Sequence, residues 1–212
     1  MDSEKRALND IRNMLGFLGM ILPVALLVFN LLFGKTYNPD GVLNSISATY
    51  YSSSFVFMVG LVFGTGLFLI RYRGYDMKDR VASIISGCGA LTLTLFPCML
   101  PDAQNRNFMM LPMVLTNILH LAGAFAFFAA LIFIIFFQFT KSGEKAGVGT
   151  RKWMRNILYR VCAIIMACSL ITGFTMARFS DWSYWVFAGE ALALWAFGIA
   201  WLTKGGKILK DL

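Results

Sequence analysis

Charge is scarce in this chain. Only 14% of its 212 residues are Asp, Glu, Lys or Arg, against about 25% in ordinary soluble domains, while 58% are hydrophobic. A protein of this size has too little interior to hide that much apolar surface from water. The composition therefore excludes a soluble domain, a disordered chain and a disulfide-stapled secreted module. Histidine is scarcer still: His120 is the single one. A catalytic zinc site typically takes three protein ligands, and no His-x-x-x-His spacing is present, so neither a metal nor another cofactor is expected. The four cysteines, Cys88, Cys98, Cys162 and Cys168, fall in apolar runs without C-x-x-C spacing. They read as small buried hydrophobes. A G-x-S-x-G elbow is missing, as is any internal repeat of the kind that marks an inverted-repeat transporter.

What the chain does have is long apolar runs. Hydrocarbon about 30 Å thick takes about 20 apolar residues of helix, and six segments qualify: 14–34, 53–70, 81–100, 112–137, 157–177 and 184–203. None alternates as the strands of a closed barrel do. The expected fold is all-α: one polytopic membrane domain over residues 1–212, a bundle of six transmembrane helices. The first run is too long for a signal-peptide core, and its exit Phe33-Gly34-Lys35 has no small-x-small cleavage site, so it reads as an uncleaved anchor. Pro23 and Pro97 predict kinks within the first and third spans, and Pro112 suits the first turn of the fourth.

The net charge of +8 is an orientation signal rather than a nucleic-acid footprint. Sixteen of the 19 Lys and Arg residues fall in the N-terminus, the second-to-third and fourth-to-fifth connections and the C-terminal tail. Only Lys35, Arg106 and Arg178 lie in the alternate connections. This bias places both termini in the cytoplasm, with anionic membrane lipids as partners. Trp182, Tyr184 and Trp185 mark the outer interface, and Trp153, Tyr159 and Trp201 suit the inner one. In the hairpin at 71–80, Asp76 and Arg80 are spaced to pair across one helical turn. It lacks the further aspartates and glycine of a lipid phosphotransferase. Small residues (Gly60 and Gly64, Ser83 and Gly87, Ala122/Ala126/Ala130, Gly189/Ala193/Ala196/Ala200) predict close helix packing, or alternatively a homo-oligomer interface.

Ionisable groups inside a membrane are expensive, and therefore functional candidates. Two lie well within a span, His120 on the fourth and Glu190 on the sixth. Counted from the outer ends at 1.5 Å per residue, they lie about 12 and 9 Å deep, close enough to meet. Thr116, Asn117 and His120 share one helical side with Gly123 and Ala124, so both titratable groups are expected to point inward and to pair. The pair reads either as a fastener that fixes helix register or as a ligand or proton site. The stretch 44–54 reads as helix running into the second span. Its hydroxyls at Ser45, Thr49, Ser52 and Ser53 form a stripe, with Tyr50 and Tyr51 at the mouth of an outer cavity. The candidate ligand-binding set is His120, Glu190, Asn117, Thr116, Ser53 and Tyr50.

Three stretches carry a resemblance: Ile46-Ser47-Ala48-Thr49-Tyr50-Tyr51, Tyr72-Arg73-Gly74-Tyr75-Asp76, and Ala196-Phe197-Gly198-Ile199-Ala200-Trp201-Leu202-Thr203-Lys204-Gly205. In these the chain resembles, over nearly its whole length, an uncharacterised bacterial family of six-helix membrane proteins. That family is similar in layout to the growth-factor-receptor-activating-protein-like membrane proteins, and remotely to the alkaline-ceramidase and progestin-receptor-like membrane hydrolases. The resemblance implies a multi-pass protein of the bacterial inner membrane. The hydrolases imply a zinc on several histidines with a serine and an aspartate nearby, and a single histidine departs from that pattern. What could survive is His120 with Ser53 or a neighbouring hydroxyl. The leading expectation is a non-enzymatic, outward-facing polar pocket that binds or passes a lipid-like or small polar ligand. A membrane-embedded lipid hydrolase using His120 and Glu190, and a structural or sensory subunit, are the alternatives.

Overall fold

The computed structural model of the protein describes residues 2–33, 44–100, 110–141 and 147–210. Gly34 at the end of the first predicted span, and Lys35, Arg106 and Lys145 of the charge count, lie outside them. The described residues are predominantly helical, with no strand among them. Among the described residues six α-helices follow one another: α1 Asp2–Phe33, α2 Phe55–Arg71, α3 Met77–Leu95, α4 Met113–Phe133, α5 Arg151–Phe179 and α6 Trp185–Lys204. Four are long and apolar enough to cross a membrane: α1, α4 with its π-helical extension to Gln138, α5 and α6. α2 is apolar but shorter, at 17 residues.

The helices pack as a ring. α1 lies between α6 and α2, α3 between α2 and α4, and α5 on the far side of α6, with a lighter α4–α5 contact closing the circuit. Close approach depends on glycine at the crossings. A Cβ at Gly189 would lie 2.5 Å from the Ser169 carbonyl oxygen of α5, and one at Gly89 would lie 2.6 Å from that of Gly123 in α4. The G-x-x-x-G of α2 does not work this way: Gly60 and Gly64 face open space. The α2 contact is made instead by Gly66 against Gly87 of α3. The regular spacing identified a small-residue face without saying which side of the helix the bundle uses.

Several other expectations give way to local physics. Pro97 does not kink α3. It ends it, because the residue before a proline is pushed to extended backbone, and Phe96 has φ −117° and ψ 105°. α1, by contrast, continues through Pro23. Asp76 does not pair with Arg80. Its carboxylate caps α3 by accepting the Asp79 N–H at 3.0 Å and pairs with Lys141, while Arg80 donates to the carbonyls of Ile70 and Tyr72. Trp201 is no interface anchor: it is fully buried, edge-on to Tyr72 and Phe139. Of the four free cysteines, Cys88 and Cys168 face out of the bundle rather than into it.

Candidate functional site

Ahead of α2, residues 44–54 lie within the bundle. They do not form a continuous helix. One 3-10 turn spans Ser47–Tyr51, and the backbone then extends at Ser52 (φ −114°, ψ 176°) before α2 begins. Such a segment, placed among apolar helices, carries backbone groups that need partners from the protein. Glu190 supplies one. Its carboxylate accepts the Ile46 N–H at 2.5 Å and faces the Ser47 N–H as well. The Asn44 carbonyl in turn accepts the Phe187 N–H of the first turn of α6, where that N–H has no partner within the helix. α6 and the segment thus exchange hydrogen bonds in both directions.

His120 holds the other side. Its Nδ1 lies 2.7 Å from the Phe96 carbonyl oxygen and its Nε2 lies 2.9 Å from Ser47 Oγ. A carbonyl only accepts, so in the neutral ring Nδ1 carries the proton and Nε2 accepts from the Ser47 hydroxyl. The Phe96 carbonyl is available because Pro97 has stopped α3 there. One turn earlier on α4, Asn117 Oδ1 accepts the Met99 N–H at 2.9 Å, and Tyr51 OH donates to the Cys98 carbonyl at 2.7 Å. The irregular backbone on both sides of the node is thereby fastened to α4 and α6.

Both titratable groups point inward: His120 is 2% exposed and Glu190 8%. They do not form the direct pair that was expected. Ser47 stands between them, its hydroxyl on His120 and its backbone on the Glu190 side. Of the remaining candidates, Thr116 is buried with its hydroxyl on the Pro112 carbonyl. Asn117 serves the loop after α3. Ser53 is exposed and outside the node. Tyr50 is not at a mouth but buried against Tyr51 and Phe55. The hydroxyl stripe fails because 3-10 geometry and the break at Ser52 change which residues share a side. The same error hid Ser47. The other partner of His120 does have a sequence signal, the Phe96-Pro97 step, which frees the carbonyl that His120 Nδ1 meets.

Below the node, at the centre of the ring, lies a cleft. Ser47 and Glu190 form its polar end, and Leu18, Leu22, Met58, Val62, Leu93 and Phe197 are among its apolar walls. It is narrow, with about 500 Å³ of empty space counting its open mouth and about 40 Å³ where a water-sized sphere fits. That inner volume holds roughly two or three waters. Among the described residues, no three His, Cys, Asp or Glu side chains gather as metal ligands.

Comparison with known proteins finds no matching family model, no similar curated protein and no similar solved structure.

Proposed function

We propose that this chain is a multi-pass membrane protein that binds a lipid-like ligand in the central cleft, polar end against Ser47 and Glu190 and apolar portion between α1, α2 and α6. Six crossings with both termini cytoplasmic, in a bacterial inner membrane, complete the reading, in keeping with the resemblance to the six-helix bacterial family. The observation that carries it is the composition of the cleft. One end offers a carboxylate and a hydroxyl, and apart from Thr65, whose hydroxyl is engaged by the Leu61 carbonyl, the remainder is aliphatic and aromatic, the distribution that ligand pockets for amphiphiles show. A small polar ligand would leave those walls unmatched. The cleft is tighter than an extended acyl chain requires, so binding moves flexible side chains, Met58 foremost. Lipid co-purifying with the protein, measured by native mass spectrometry from mild detergent, tests this. Val62→Phe and Leu93→Phe fill the cleft and should remove the bound lipid while the protein stays folded. Equal lipid retention in both variants contradicts the reading.

One contact supports a second reading, a serine lipid hydrolase. Ser47 Oγ and His120 Nε2 lie within the hydrogen-bond reach of a nucleophile and its base, and the Phe96 carbonyl orients the ring. Ser47 Oγ would attack an ester carbonyl carbon as its proton passes to His120. Collapse would expel the alcohol, which takes that proton, and water would then release the acid from the acyl-serine. Glu190 occupies the Ile46 N–H that would otherwise face an oxyanion, so this chemistry requires Glu190 to let go. A fluorophosphonate probe decides: labelling of Ser47 that Ser47→Ala or His120→Ala abolishes supports hydrolysis, and no labelling ends it.

A further inference from the structure

At the opposite end of the bundle, away from the central cleft, the chain builds a second and larger cavity of about 910 Å³. Its walls come from the start of α1, the α2–α3 connection, the end of the π-helical extension of α4, the start of α5, and the end of α6 with its tail. Among the described residues, eight Lys and Arg side chains line it and no Asp or Glu does. Lys141 is neutralised by Asp76 from just outside, and Asp79 acts on Lys204 from behind. Among the described residues, Lys5, Arg12, Lys204, Lys207 and Lys210 gather positive charge in one concavity.

The positive-inside tendency accounts for cations near membrane ends, but not for their convergence or burial. A cation serving only to orient the chain is free to extend into water. Arg12 is instead only 7% exposed. It donates to Asn9 Oδ1 and Tyr72 OH, and its Nε is buried without a hydrogen-bond partner. Its guanidinium lies 5.8 Å from the Tyr72 ring centre. Lys204 donates to the Phe139 carbonyl at 2.9 Å and stands over the rings of Tyr75, Phe139 and Tyr159, at 4.7, 5.0 and 5.5 Å. Aromatic faces thus hold two cations in place, while Lys207 and Lys210 line the same cavity at exposed positions. Like charges gathered in this way repel one another, and an anion that binds the folded state relieves the repulsion. Guanidinium and ammonium groups together favour phosphate oxygens, which accept several charge-assisted hydrogen bonds. The volume falls within the range of ligand pockets.

We propose that this basin is a binding site for a phosphomonoester group, carried by a lipid headgroup or by a soluble phosphorylated molecule. It is independent of the central cleft and of whether that cleft binds lipid. Thermal unfolding of the full chain in detergent, followed by tryptophan fluorescence, reads the binding through the stabilisation a ligand gives. The probes are dioctanoyl phosphatidic acid, sodium pyrophosphate and, as the control without a monoester, dioctanoyl phosphatidylcholine. Phosphatidic acid, pyrophosphate or both should raise the midpoint saturably, and phosphatidylcholine should not. Stabilisation by phosphatidic acid alone assigns a lipid headgroup; stabilisation by pyrophosphate as well assigns the phosphate itself. Arg12→Gln should weaken binding at least about tenfold. Because Arg12 is buried and its variant can lose stability on its own account, the double variant Lys207→Gln/Lys210→Gln, at exposed positions, is the second measurement and should also weaken binding. Arg71→Gln removes an exposed cation outside the basin and should leave affinity unchanged. The proposal is overturned if neither phosphate probe stabilises beyond phosphatidylcholine, or if the Lys207/Lys210 variant binds no more weakly than Arg71→Gln.

Discussion

Glu190 and Ser47 fasten a segment that cannot satisfy its own backbone. Losing the Glu190 carboxylate leaves the buried Ile46 N–H without its acceptor. Glu190→Ala should therefore cost about 1–3 kcal/mol of folded stability, and Glu190→Gln less, because the amide oxygen still accepts. Ser47→Ala, which takes one neutral hydrogen bond from His120, should cost about 1 kcal/mol. Unfolding in detergent checks all three, and an alanine at 190 as stable as the native residue would show that the segment needs no such fastener. At the surface, the Lys141 ammonium beside Asp76, with the Asp79 N–H, holds the Asp76 carboxyl below its usual range. A lowered folded value means that this contribution is complete above about pH 4 and is lost as acid protonates the group. Lys141→Gln should accordingly flatten the acid side of the stability–pH curve. His120 and Glu190 were legible as inward-facing because charge is too costly in hydrocarbon for either to face it. Their partners were not legible. The expectation matched one titratable side chain to the other, whereas backbone groups freed by an irregular turn and by a proline-stopped helix bind them instead.

At the scale of the helix, apolar length marked where helices form, and four of them, α1, α4, α5 and α6, are long and apolar enough to cross a membrane. Ends and faces were harder to read. α3 stops at Leu95, ended rather than kinked by Pro97, and residues 52–54 break away from α2. Glycine faces are decided by what lies opposite, which spacing alone does not state. The consequence is a contrast between helices. Gly189→Val drives a branched side chain into the Ser169 carbonyl and should cost about 1–3 kcal/mol, as overpacking does, by separating α5 from α6. Gly60→Val meets open space and should change stability by no more than about 0.5 kcal/mol. Thermal midpoints of the two variants in one detergent test this, and equal losses would contradict the ring order described above.

For the molecule as a whole, the ring leaves two different ends. One is the polar node formed by residues 44–54, with a narrow cleft beneath it; the other is the basic basin. Charge counting foresaw that the Lys- and Arg-rich connections share a side, and the structure brings α1, the α2–α3 connection, α5 and the tail together around one cavity. It did not foresee a cavity, since concavity depends on close contacts such as that of Gly205 with Asn13 of α1, where a Cβ would collide. The six-crossing reading predicts that single cysteines at Lys5 and Lys207, in a cysteine-free background, react only from the cytoplasmic side. One at Ser180 should react only from the other. Labelling of Lys5 and Lys207 positions from opposite sides would refute it.

The most direct test of the central cleft is an experimental density map of the protein in a lipid nanodisc. The account predicts elongated density that starts at Ser47 and Glu190 and runs between Leu22, Val62 and Leu93. A cleft closed by its own side chains, or holding only isolated waters, would contradict it.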